Sequence, residues 1–203
     1  MNRQMLEFDA ETHTYKLNGK VVPSVTQVIR AVLPERPVDE FYLGRGRAIH
    51  HGCRLLDEGR LDWSTVAPEI EPRIRAWQNF RVDLCGYRPC AIEQPLGSEA
   101  LQFAGTLDRV FERQGADWTL MDLKSTISPQ ARVQLGGYSI LWSAQWRGEG
   151  PRRPLKRAGA IELQDDGQYK ALWLDQRELR LAEQVFVACL TVFNFMRAYK
   201  PGR

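Results

Sequence analysis

A mixed α/β fold, with a central mixed β-sheet flanked by helices, is predicted by three features of the sequence. Helical periodicity dominates up to Gly86, three strand-like segments then run consecutively from Ala91 to Lys124, and a capped helix leads on to two more strands and a closing helix. Helices ahead of a strand meander, followed by a helix that crosses to further strands, must bury their apolar faces on a shared sheet. With 203 residues, 43% of them apolar, the chain is long enough for one sizeable core and short for two. One domain over residues 1–203 is expected, with a hairpin and helices in 1–86 and a sheet core and C-terminal helix in 87–203.

The segment from His13 to Leu17 alternates, meets Asn18-Gly19 and resumes as Lys20-Val21-Val22, a hairpin signal because Asn-Gly supplies positive φ at the turn. Ser24 and Gln27 then have capping-box spacing ahead of a short helix that should stop by Pro34, with Pro37 opposing its resumption. A second helix is expected from about Asp39 to Glu58, weakened at Gly44, Gly46 and Gly52 and closed by Gly59. The pair Gly44 and Gly46 suggests a kink, or a close approach by another backbone or a phosphate. Ile70, Ile74, Trp77, Phe80 and Leu84 place a third helix, with Gly86 as its stop.

Strands are expected over Ala91 to Leu96, Leu101 to Arg113 and Trp118 to Lys124, separated by Gly97-Ser98 and by Gln114 to Asp117. Ser128-Pro129 provides an N-cap and an N1 proline for a helix to about Trp146. Gly159 to Leu163 and Tyr169 to Leu174 read as strands around Asp166-Gly167. Leu179, Ala182, Val185, Phe186, Cys189, Val192, Phe193 and Met196 give the last helix a broad apolar stripe. No repeat or low-complexity stretch is seen, and the one candidate linker is the basic loop from Gly148 to Arg157.

A net charge of +3 does not by itself mark a nucleic-acid binder. Basic residues cluster at Arg45, Arg47, Arg54 and Arg60 and again at Arg147, Arg152, Arg153, Lys156 and Arg157, where a solvated face accounts for them as well as phosphate binding does. No apolar run approaches the ~18 residues of a membrane span, and no signal-like segment follows Met1, so a soluble, cytoplasmic protein is expected. Cys53, Cys85, Cys90 and Cys189 are scattered without a Cys-x-x-Cys pair, so neither a disulfide nor a structural zinc site is expected.

The stretch that carries chemistry is Gly105-Thr106-Leu107-Asp108, then Asp122-Leu123-Lys124, then Gln134 and Tyr138. On a strand, Asp122 and Lys124 share a face while Met121 and Leu123 point the other way into the core. A neighbouring strand carrying Asp108 would bring three charged groups to one sheet edge. Magnesium takes oxygen ligands and keeps several waters, so one or two carboxylates plus a substrate phosphate make its usual site. An ammonium beside it can orient water or stabilise developing charge during phosphodiester hydrolysis. Taken alone, Asp-x-Lys is equally an exposed edge-strand ion pair.

At these residues the chain resembles the PD-(D/E)XK nuclease superfamily and, within it, the RecB-like and phage-type exonucleases. His13-x-Tyr15-x-x-Asn18-Gly19 followed by Pro23-Ser24-Val25-Thr26 is similar to the opening of phage-associated members, Gly46-Arg47-Ala48-Ile49-His50 to a helical histidine motif, and Gln134-x-x-x-Tyr138 to a helix motif. The resemblance implies a restriction-endonuclease-like core and DNA hydrolysis from ends or at single-stranded regions. It implies Mg2+, or Mn2+, bound by Asp108, Asp122 and the Leu123 carbonyl, with His50 and Glu93 nearby and Lys124 serving the water. Gln134, Tyr138, Arg47 and Ser125 would contact DNA or support the site, and a recombination partner protein is an accompanying expectation. For Glu93 a solvent-facing strand glutamate is an equal alternative, and for Tyr138 a core tyrosine. An aspartate stands where the family more often has glutamate before x-Lys. Only Cys189 lies near the C-terminus, so the iron-sulfur cluster of some relatives is not expected. A nicking or structure-specific endonuclease, and a non-catalytic DNA-binding protein of the same fold, are the competing readings.

Overall fold

The computed structural model describes residues 5–34, 40–113, 117–145 and 154–199. Trp146, the turn at 114–116 and Arg147, Arg152 and Arg153 of the basic loop lie outside them.

The N-terminal strands β1 (Leu6–Asp9), β2 (Thr14–Leu17) and β3 (Lys20–Val22) form an antiparallel sheet in that order. Asn18 and Gly19 both adopt positive φ, at 50° and 77°, as the tight turn requires. The strand β1 was not expected: Leu6-Glu7-Phe8-Asp9 is too short to stand without its partner β2. Pro23 then docks this sheet on the central one, its carbonyl accepting from the Ala104 N–H at 3.0 Å.

Helix α1 (Val25–Val32) starts at a full Ser24–Gln27 capping box and ends before Pro34. Helix α2 (Glu40–Asp57) runs unbroken through the glycines expected to weaken it. The close approach is at Gly52, where a Cβ would lie 2.3 Å from Ile74 Cδ1, while the Gly46 position is open. A 3-10 turn at Trp63–Thr65 leads to α3 (Glu71–Asp83), closed by Gly86 at φ 81°.

The central sheet contains β4 (Arg88–Ser98), β5 (Phe103–Arg113), β6 (Asp117–Lys124), β7 (Leu155–Leu163) and β8 (Tyr169–Leu174), in sequential order. Only β6 and β7 are parallel, joined through α4 (Pro129–Ala144). Strand β4 begins earlier and ends later than expected; Pro89 and Pro95 are tolerated because it lies on the sheet's edge. Strand β7 likewise starts at Leu155, drawn into pairing with Trp118.

The sheet is packed on both faces. Leu107, Val110 and Leu120 meet α1, α4 and the last helix α5 (Gln176–Ala198), whereas Phe111, Met121, Leu123 and Ile161 meet α2 and α3. Helix α5 opens on an Asp175–Glu178 capping box. Over 18 residues its mean hydropathy reaches 1.4, long and apolar enough to cross a membrane by composition; Leu179, Ala182, Phe186, Cys189 and Leu190 are buried against the protein. Helices α4 and α5 touch backbone to backbone, since a Cβ on Gly136 would fall 2.4 Å from the carbonyl of Ala182.

Candidate active site

The site forms where β5 and β6 part. Their antiparallel ladder ends at the Arg109–Met121 pair. One step further on, the Leu123 N–H donates to Asp108 Oδ2 at 2.7 Å instead of to a strand carbonyl. Leu123, expected as a carbonyl ligand, is tied to Asp108 by this amide. The carboxylate holds the strands at this spacing, and both aspartates are nearly enclosed, Asp108 at 7% and Asp122 at 2% exposure.

Gly105 explains the Gly-x-x-Asp spacing: a Cβ there would lie 3.1 Å from Tyr138 Cε1 and from Val25 Cγ2, so α4 can press against β5 just before Asp108. Beside it, Thr106 Oγ1 and the buried Tyr15 hydroxyl share a 2.8 Å hydrogen bond, which gives the Tyr15 of the N-terminal motif a place next to the site.

On the other side of β5, Glu93 sits at φ 46° between the Ile92–Arg109 and Gln94–Leu107 pairs. That left-handed backbone is uncommon for a residue with a Cβ and marks a local departure from regular pairing. His50, from α2, places Nδ1 3.6 Å from Asp108 Oδ2 and 3.9 Å from Glu93 Oε1. Ligand atoms of His50, Glu93 and Asp108 all lie within 4.8 Å of one another. Asp122, expected with Asp108 at the metal, is not one of these three.

The Asp122 carboxylate faces Lys124 instead, with Oδ2 2.7 Å from Nζ. The ammonium donates to Gln134 Oε1 at 2.7 Å, and Gln134 Nε2 donates to the Tyr138 hydroxyl at 2.9 Å. At 6% exposure Tyr138 supports Lys124 through Gln134, the supporting one of the two roles expected of it. Arg47 and Ser125 are exposed, on α2 three residues before His50 and directly after Lys124.

The electrostatics follow from this crowding. Burial pushes the Asp108 carboxyl up to about 6, with Asp122 and Glu93 raising it further against the opposing pull of His50. Burial disfavours charge on His50, yet Asp108, Glu93 and Asp122 outweigh it and lift the imidazole to about 9. Burial also works against the Glu93 anion, but the nearby His50 and the hydrogen bond and charge of Arg109 hold it below the ordinary glutamate value. Burial and the charges of Asp122 and Asp108 push the Tyr138 phenol well up, so it remains neutral.

These groups fit a divalent cation. Two carboxylates and an imidazole converge, and the buried Asp122 carboxylate, paired with Lys124, adds a further oxygen donor close to Asp108. A hard cation would neutralise the negative charge gathered in this enclosed site.

Sequence reasoning missed Asp57 and Arg109, which lie behind Glu93. The signal was present in β5, where Asp108-Arg109 interrupts a run of otherwise apolar residues from Leu107 to Phe111.

Fold and site together define an α/β protein in which carboxylates, a histidine and a lysine gather where two strands of the central sheet diverge. Among solved structures, the protein resembles one from Eubacterium rectale assigned as an exonuclease, with TM-score 0.50 and 10% identity over 82% of this chain and 77% of that one. At that identity the likeness shows the fold: a mixed sheet flanked by helices. Two structures of LHK-Exo also match, one in complex with dAMP (TM-score 0.39, 12% identity, 87% of this chain and 92% of that one). The other is of the alkaline exonuclease from Laribacter hongkongensis (TM-score 0.38, 12% identity, 86% and 91%). No family model and no curated protein matches the chain.

Proposed function

We propose that the protein is a divalent-metal-dependent deoxyribonuclease of the RecB-like or phage exonuclease type, hydrolysing phosphodiester bonds from DNA ends. The observation that carries the reading is the meeting of His50, Glu93 and Asp108 beside the Asp122–Lys124–Gln134 chain where β5 and β6 separate. The whole chain acts as one catalytic domain, in the cytoplasm, in phage-type recombination or DNA processing together with a partner protein.

His50, Glu93, Asp108 and Asp122 hold the cation, with the Leu123 carbonyl as a further oxygen donor, and Mg2+ or Mn2+ suits the oxygen-rich set. When bound, the cation polarises the scissile phosphate and lowers the pKa of water. Lys124, fixed between Asp122 and Gln134, orients the attacking water and faces the charge that develops on the phosphate. Tyr138 keeps Gln134 in place and excludes water behind it. Arg47 and Ser125 offer exposed donors to the DNA backbone, a contact that positions without reading sequence.

End-labelled linear DNA and closed circular DNA, each incubated with Mg2+, Mn2+ or chelator, test this reading. Linear DNA should be shortened from its ends only with metal, and intact circles spared. Linearisation of supercoiled circles would replace the exonuclease with an endonuclease. Binding without cleavage under every metal condition would make the chain a non-catalytic DNA-binding protein.

A further inference from the structure

Among the described residues, Arg109 is the one basic side chain in the buried set, and its side chain is 0% exposed. An isolated guanidinium in such a place is costly, so its partners state what it is there to hold. Its Nε donates to Asp57 Oδ2 at 2.5 Å, and its Nη1 donates both to Glu93 Oε1 and to the Asp108 carbonyl, each at 2.8 Å. Asp57, equally enclosed, takes two more bonds on its other oxygen, from Trp77 Nε1 at 3.0 Å and Arg81 Nη1 at 2.8 Å.

The chain of contacts therefore runs from α3, through the end of α2, across β5 and into Glu93. Each link is directional. Trp77 and Arg81 orient the Asp57 carboxylate, Asp57 fixes the planar guanidinium, and the guanidinium grips one Glu93 oxygen while anchoring on the backbone of Asp108. Glu93 needs such a grip, because its left-handed backbone at φ 46° breaks the regular strand alternation that would otherwise set its direction. The carboxylate so held is the one facing His50 Nδ1.

We propose that Arg109, clamped by Asp57, is a positioning residue that aims Glu93 at the His50–Asp108 cluster and so sets the site's affinity for a divalent cation. The inference rests on the metal-dependent reading above. A lysine preserves the charge but cannot span Asp57 and Glu93 with a rigid fork. An outer partner of this kind is typically worth about 10- to 100-fold in metal affinity.

The test is direct Mn2+ titration, by calorimetry or by the spin-resonance signal of free Mn2+, on the full chain and on R109K, D57N, E93Q and R109K/E93Q. Wild-type protein should bind Mn2+; if it does not, the metal-dependent reading itself fails. Given that binding, R109K should weaken it at least about tenfold, with D57N following in the same direction. Adding R109K to E93Q should cost nothing further, because the grip then has no carboxylate to aim. A merely structural Arg109 would lower thermal stability with Mn2+ affinity unchanged, or would add its full effect to that of E93Q, and either result overturns the proposal. Should R109K fail to fold, D57N alone decides: wild-type Mn2+ affinity in a folded D57N protein refutes the clamp.

Discussion

Replacing Lys124 by methionine keeps most of the side-chain stem and removes the ammonium, with its charge beside Asp122 and its hydrogen bond to Gln134, which makes it the sharpest probe of the site. Asp122 would be left 2% exposed without the cation that lies 2.7 Å from its Oδ2. Breaking a buried pair costs ~3–5 kcal/mol, and because the Lys124 side chain is 22% exposed, solvent screening brings the expectation to about 1–3 kcal/mol. For a protein of this size that corresponds to a fall of roughly 2–12 °C in Tm. Mg2+ should recover part of the loss, since the cation supplies the positive charge that Asp122 has lost. Catalysis should respond more strongly: a group that acts on transition-state charge is worth about 100- to 1,000-fold in rate. Single-turnover cleavage of end-labelled DNA, beside Mg2+ and DNA binding measured separately, distinguishes the effects. K124M should bind both ligands and fail in the chemical step. Wild-type cleavage would reduce Lys124 to a solvated strand lysine, and loss of DNA binding in parallel with cleavage would make it a phosphate anchor.

Asp108→Asn and Asp122→Asn should each abolish metal-dependent cleavage while leaving the circular dichroism spectrum intact, since the amides keep the shape and lose the charge that a hard cation requires; a wild-type rate in either variant removes that residue from the site. The raised pKa values of Asp108, from 3.8 to about 6, and His50, from 6.5 to about 9, mean that the metal-free fold retains protons which the unfolded chain has released. Stability from each is therefore lost as pH rises through its folded value, and the lowered Glu93 pKa acts only at more acid pH. The thermal stabilisation by Mg2+ should accordingly grow from pH 6.5 to 9, and a flat or shrinking shift would place the cation elsewhere. Gly136→Ala should cost about 1–3 kcal/mol in urea unfolding, because its Cβ would meet the α5 backbone at 2.4 Å. The displaced α4 should also slow cleavage through Gln134, and unchanged stability would contradict the close helix contact.

Much of this protein was determined by local pattern. The Asn18-Gly19 turn, the Ser24–Gln27 capping box, the end of α1 before Pro34 and the strand runs of β5 and β6 each depend on neighbours within a few residues, so the chain writes them openly. The same holds for the Asp122–Lys124 pair, whose shared direction follows from the period of a strand. What the tertiary structure decided are the meetings between distant segments. Strand β1 exists only against β2, and the open position at Gly46 and the tight one at Gly52 depend on where α3 lies. The cluster draws His50 from a helix and Glu93 from an irregular point on an edge strand, so no spacing in sequence announces that the two flank Asp108. Arg109 was legible only as a charge in an apolar strand. Its partner Asp57, 52 residues away, is what offsets the burial of that charge, because acceptors assembled by packing replace water at Nε and Nη1.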